Sequence, residues 1–349
     1  MTVFFGIDSD EEPHFSSVSD ALITTADLKL YDADSVPTRF GLGADGTRSR
    51  AVRCMSKCFL GENYCIHWAG NVANAKKAIS ILRRELPNNP SCFQSTLNNM
   101  SPLELNSIQL LASIINRERF ESFSWNVPSF QLGAAIIYVG GSGSYTYFED
   151  LEAREGQSKP GIAFQGKSPF EIAMNRLASL LDHERFDPAS NILDWGGAYE
   201  LVAIDRGKFR RIPYFFLEVD LGDLELSVDP IAYRRIFVYP HTAGSVVEVS
   251  SYNAERCEER EVFARYFIPE IFREADMMDA SGISPSKASD GIIRISFREG
   301  RHTIYGRDFG YVERMVTGGK LMTEWNLDRD SISKFIQEKI GALPDLDRA

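Results

Sequence analysis

The sequence predicts an α+β protein, a four-layer αββα sandwich with a C-terminal extension, and three features of element order predict it. Apolar hairpins open the chain, two helical segments follow, and a further hairpin, a third helix and more strands come after them. Two sheets that bury one face against each other need helices over their outer faces, and this order supplies both. The sandwich is complete by about Gly222, so residues 1–222 form the core and residues 223–349 an extension that completes or decorates it.

Each element has a local reason. Thr2 to Ile7 reads as a short apolar strand and Ala21 to Leu30 as its neighbour, with the acidic DSDEEPHFSSVSD turning between them. Phe59 to Ala69 reads as a hairpin through Gly61-Glu62-Asn63. Ala75, Ile79, Leu82 and Leu86 recur at helical spacing and stop at Pro87. Ser101-Pro102-Leu103-Glu104 is a capping box with proline at the first helical position, and it predicts a second helix lined by Leu105, Ile108, Leu111 and Ile115.

Leu132 to Val139 and Tyr145 to Glu149 form a hairpin across the Gly-Ser run 140–144, which lacks the Lys-Ser/Thr of a phosphate loop. Ser168-Pro169-Phe170-Glu171 is a second capping box, opening a helix through Ala173, Leu177 and Leu180. Tyr199 to Asp205 pairs with Phe209 to Val219 across Arg206-Gly207-Lys208. In the extension, strands are predicted at Arg235 to Tyr239, Ser245 to Ser250 and from Ile292 to Tyr305, with a helix around Glu259 to Asp276. A last helix is capped by Asp330, turns Ile332, Phe335, Ile336 and Ile340 inward, and stops at Gly341.

Bulk properties exclude several classes. The 349 residues carry a net charge of -11, which argues against a nucleic-acid surface. The longest apolar run, Leu132 to Val139, is too short to span a membrane, and MTVFFGIDSDEE begins too acidic for a secretory leader. Five cysteines, Cys54, Cys58, Cys65, Cys92 and Cys257, form no metal-type pair of pairs. The expectation is a reduced, cytoplasmic protein without metal or cofactor. His67 and the scattered His14, His183, His241 and His302 accompany no Gly-x-Ser-x-Gly elbow and read as packing or surface residues.

The chemistry-bearing pattern lies at the start. Removal of Met1 exposes Thr2 with a free α-amine, whose near-neutral pKa lets one residue serve as base and nucleophile. A nearby ammonium favours the alkoxide and a carboxylate holds that ammonium, for which Lys57 and Asp27 are the candidates. Gly70, at a strand-to-helix corner without a Cβ, is the candidate backbone donor for an oxyanion.

Strand, Thr-Ala-Asp, a lone lysine opening a strand, Ala-Gly and an apolar-faced helix together resemble the N-terminal half of a proteasome β-type subunit. That family lies within the N-terminal-nucleophile hydrolase superfamily, and the likeness is to its bacterial members. The resemblance implies the αββα fold, with Thr2 as threonine nucleophile, Asp27 ending the second strand, Lys57 as the lysine and Gly70 as the oxyanion glycine. It further implies a peptide or amide substrate, a homo-oligomeric ring and an unfoldase partner.

The later positions depart from the family. Gly166 is kept, but Gln165 stands where a serine belongs, Asp194 is displaced by two positions, and Trp195 replaces the serine before Gly196-Gly197. The departures leave two alternatives: a non-catalytic structural or binding subunit, or a small-molecule amide hydrolase whose pocket the extension narrows.

Overall fold

The structure is a computed structural model and describes residues 4–9, 14–20, 22–24, 51–116, 119–132, 135–141, 144, 168–186, 198–220, 232–251, 264–273, 285–297, 300–318 and 320–341. The chain divides into two compact units. One takes Met1–Ile212, Ala243–Ser245 and Phe267–Asp279, and the other Pro213–Thr242, Val246–Tyr266 and Ala280–Ala349.

The first unit opens with β1 (Phe4–Ser9) and β2 (His14–Asp20), an antiparallel pair with Phe4 opposite Ser19. Next come β3 (Leu22–Thr24) and β4 (Ala51–Cys54), which pair with each other, then β5 (Cys58–Leu60) and β6 (Tyr64–Gly70). After β6 the chain forms α1 (Val72–Glu85), a 3-10 turn (Pro90–Cys92), α2 (Phe93–Leu97) and α3 (Pro102–Asn106). Strands β7 (Ile108–Asn116), β8 (Arg119–Trp125), β9 (Ser129–Leu132) and β10 (Ala135–Gly140) follow. The unit's main run ends with α4 (Pro169–Phe186), β11 (Tyr199–Asp205) and β12 (Lys208–Arg211).

Two main sheets result, ordered β12-β11-β2-β1-β10-β9 and β5-β6-β7-β8. Their facing side chains share one core: Phe4, Phe15, Tyr138, Val202 and Phe209 from the first sheet meet Cys58, Cys65, Ala69 and Leu111 from the second. The other face of the second sheet, with Ile66, Trp68, Leu110, Ala112 and Ile114, packs on Ala75, Ala78, Ile79 and Leu82 of α1 and on Phe93 and Leu97 of α2. Strand side chains alternate between faces, so Phe5 and Ile7 point away from the facing core. They are nevertheless wholly buried. Helix α4 packs against β1, β2 and β11.

Both capping boxes form as the sequence predicts. Ser101 and Ser168 each accept from the backbone N–H three residues on, while Glu104 and Glu171 accept from the Ser101 and Ser168 backbones. The helix after Ser101 stops at Asn106, however, and Ile108, Leu111 and Ile115 belong to β7. The run IQLLASIIN is apolar on both faces, and a strand sandwiched between a helix layer and a second sheet needs that pattern.

The neighbour of β1 is likewise His14–Asp20, while Leu22–Thr24 pairs with β4. Its serines concealed it, because Ser16, Ser17 and Ser19 are all buried here. The predicted strand Leu132 to Val139 is divided between β9 and β10, an antiparallel pair. Tyr145 to Glu149 lies outside the described residues.

The second unit contains β13 (Tyr214–Asp220), β14 (Ala232–His241), most of β15 (Gly244–Ser251) and the start of β16 (Ala264–Pro269). It continues through β17 (Ser286–Ala288), β18 (Gly291–Phe297), β19 (Gly300–Gly306), β20 (Gly310–Thr317), β21 (Lys320–Leu327) and α5 (Arg329–Gly341). Strand order is β16-β15-β14-β13-β18-β19 in one sheet, with β13 and β18 parallel, and β17-β20-β21 in another.

Three sequence expectations change here. The strand predicted from Phe209 to Val219 is divided between β12, which pairs with β11, and β13, which pairs with β14 and β18. Ala264–Pro269, within the helix predicted around Glu259 to Asp276, is a strand. Asp328, in place of Asp330, caps the last helix by accepting from the backbones of Asp330 and Ser331, both at 3.1 Å. Glu248 is buried between arginines, with Arg265 Nε at 2.7 Å, Arg314 against the same oxygen and Thr323 Oγ1 donating to the other oxygen.

Candidate active site

Lys57 sits in the three-residue link between β4 and β5 and is only 2% exposed. Its carbonyl accepts from Trp68 N at 3.0 Å, and its ammonium lies 4.8 Å from the centre of the Trp68 ring. Burial holds the Lys57 ammonium below the usual lysine range, while Asp20 and then Cys54 act in the opposite direction. The link itself is pinned at Ser56, whose N–H donates to Pro269 O at 2.9 Å. Its hydroxyl donates to Cys58 O at 2.7 Å, and its carbonyl accepts from Trp68 Nε1 at 3.1 Å.

Asp20 is the residue that sequence reasoning missed. It ends β2 with no exposed surface, one residue beyond Ser19, which lies opposite Phe4 near the chain start. The carboxylate ending the strand beside β1 therefore acts on Lys57. Its signal was the position of β2, which the buried serines hid.

Gly70 ends the buried run of β6 and is itself exposed. Its φ is +94°, and a Cβ there would come 2.1 Å from the Ser107 carbonyl oxygen, so both backbone conformation and space require glycine. Asn71 then caps α1, accepting from Asn74 N at 3.1 Å. Asn71 N and Asn74 Nδ2 bind Ser107 O and Oγ, at 3.0 and 2.8 Å. Because Lys57 lies opposite Trp68, it stands two residues short of Gly70 on the adjacent strand, roughly 7 Å along it.

Of the predicted residues, Lys57 and Gly70 are thus brought to neighbouring positions. Thr2 and Asp27 lie outside the described residues, as do Gln165, Gly166, Asp194 and Trp195.

A second buried cation flanks Cys58. Arg211 donates through Nε to Glu200 at 2.9 Å, and through Nη2 to Glu270 at 2.6 Å and to Cys58 O at 3.1 Å. Ser245 Oγ also donates to the engaged Glu200 oxygen at 2.5 Å. Burial works against the Arg211 charge, but Glu200 and Glu270 outweigh it and hold the guanidinium above the ordinary arginine range.

No family model matches the chain, and no curated protein matches it in sequence. Among solved structures it is similar to the crystal structure of eukaryotic HslV from Trypanosoma brucei, with a TM-score of 0.36 and 13% identity, over 59% of this chain and 100% of that chain. Among the described residues, no helix is long and apolar enough to cross a membrane.

Proposed function

We propose that the protein is a threonine-type N-terminal-nucleophile hydrolase whose first unit is a four-layer αββα sandwich, cleaving peptide or other amide bonds. The observation that carries this reading is a wholly buried lysine, Lys57, held over Trp68 and acted on by the buried Asp20 at the end of the strand paired with β1. A nearby ammonium is what a threonine nucleophile needs, because it favours the alkoxide over the alcohol.

Thr2 Oγ attacks the amide carbon as its proton passes to the residue's own α-amine, and the Gly70 N–H faces the oxyanion. The amine then gives that proton to the leaving nitrogen, and water hydrolyses the resulting ester. Lys57 is the neighbouring cationic group, acted on by Asp20, with Asp27 the second carboxylate candidate. The same reading carries the bacterial proteasome-like character, a homo-oligomeric ring fed by an unfoldase, and a cytoplasmic setting.

A second reading, a non-catalytic proteasome-like subunit, is favoured by Gln165 and Trp195 at the family's serine positions. Intact mass separates the two. The hydrolase requires a species lacking Met1 that takes a covalent adduct from a threonine-directed electrophile, with no adduct in Thr2→Ala. A protein that retains Met1, or that lacks it and stays unlabelled, is the non-catalytic subunit.

A further inference from the structure

We infer that Cys58, Cys65 and His67 form a buried site for a thiophilic divalent cation, zinc by chemistry, in the core between the two main sheets of the first unit. The β5–β6 ladder puts Cys58 opposite His67 and Leu60 opposite Cys65, so all three side chains project to one face. None is more than 1% exposed, and their ligand atoms lie within 4.8 Å of one another. Two thiols and an imidazole are the donor set that borderline and soft ions select.

The histidine supplies an independent observation. Its Nε2 is 2.8 Å from Ser17 Oγ, while Nδ1 is buried. An imidazole that donates Nε2–H to Ser17 presents a lone pair at Nδ1, and a metal-bound histidine is oriented in this way through its other ring nitrogen. A ring nitrogen in a dry interior needs a partner, supplied by the neighbouring Cys58 thiol when the site is empty and by the ion when it is loaded.

Charge selects the ion. Loading exchanges the two thiol protons for a divalent cation, leaving an electrically neutral group where an isolated charge is disfavoured. Phe4 stacks on the imidazole at 5.7 Å between centroids and Phe15 lies at 6.3 Å, so the surroundings are aromatic and exclude water. Cys58 directly follows Lys57, and His67 directly precedes Trp68, so the ion clamps the two strand positions that hold the Lys57 ammonium. This inference rests on the β5–β6 ladder and Ser17, and stands whether or not Thr2 is a nucleophile.

The test uses the full chain, expressed with zinc, desalted and assayed by elemental analysis, then stripped and reloaded with cobalt(II). Expected is about one zinc per chain, with a thiolate-to-cobalt absorption band in the near ultraviolet. Both are to be lost in Cys65→Ser and in His67→Gln, and kept in Cys92→Ser. Stripping should also lower the wild-type melting temperature. Should the variants misfold, the wild-type cobalt spectrum decides alone, since a spectrum without a sulfur band overturns the site. Failure to take up zinc, uptake indifferent to these residues, or a Cys58–Cys65 disulfide in the purified protein overturns it equally.

Discussion

Lys57 and Arg211 are both buried cations on either side of Cys58, and their surroundings treat charge in opposite ways. Arg211 is gripped by Glu200 and Glu270 through a planar fork, and its charge is held on more firmly than in water. Lys57 rests against an indole face, and burial weakens its hold on the proton despite Asp20. A guanidinium anchors, whereas an ammonium is a compact charge that its environment tunes. The comparison separates a cation fastened between two carboxylates from one whose charge its burial disfavours.

Removing each cation should break the comparison most sharply. Arg211→Ala strands the buried Glu200 and the partly buried Glu270 and is expected to cost about 3–5 kcal/mol in urea unfolding. If the protein is the hydrolase proposed above, Lys57→Met should lower amide hydrolysis by about 10²–10³-fold with a much smaller loss of stability. Equal destabilisation by both would erase the distinction.

Next in size is Gly70→Ala, which must hold alanine at a positive φ against the Ser107 carbonyl. Its expected cost is about 1–3 kcal/mol, read from the denaturant midpoint.

The smallest effect concerns Glu104, at the start of α3. Lys77 first, then Ser101, holds its carboxyl down to about 2. A carboxylate with a depressed folded pKa contributes stability that is fully present above its unfolded value of about 4.3 and is lost as pH falls toward 2. Glu104→Gln should therefore remove a small, exposed contribution at pH 7 and show a flatter acid limb than wild type.

How far the sequence could be read depended on whether an element's signal was local. The α1 helix, both capping boxes and the β5–β6 and β11–β12 turns were legible because apolar spacing and cap residues act within a few positions. Strand β7 was not, since Ile108 to Ile115 also satisfies a helical spacing and only burial on both faces decides for a strand. β2 was missed because buried serines carry no hydrophobic period, and with it went Asp20.

In the candidate site, Lys57 and Gly70 could be singled out because Lys-Cys-Phe-Leu and Ala-Gly-Asn flank one short hairpin. The Cys58, Cys65 and His67 cluster was illegible for the converse reason. Spacing along the chain offered no metal-type pair of pairs, but antiparallel register sets Cys58 against His67 and beside Cys65.

Ser56 has its N–H, hydroxyl and carbonyl all engaged, so the residue before Lys57 has no freedom to swivel. An anchor of this kind insulates the lysine from changes in the chain on its N-terminal side.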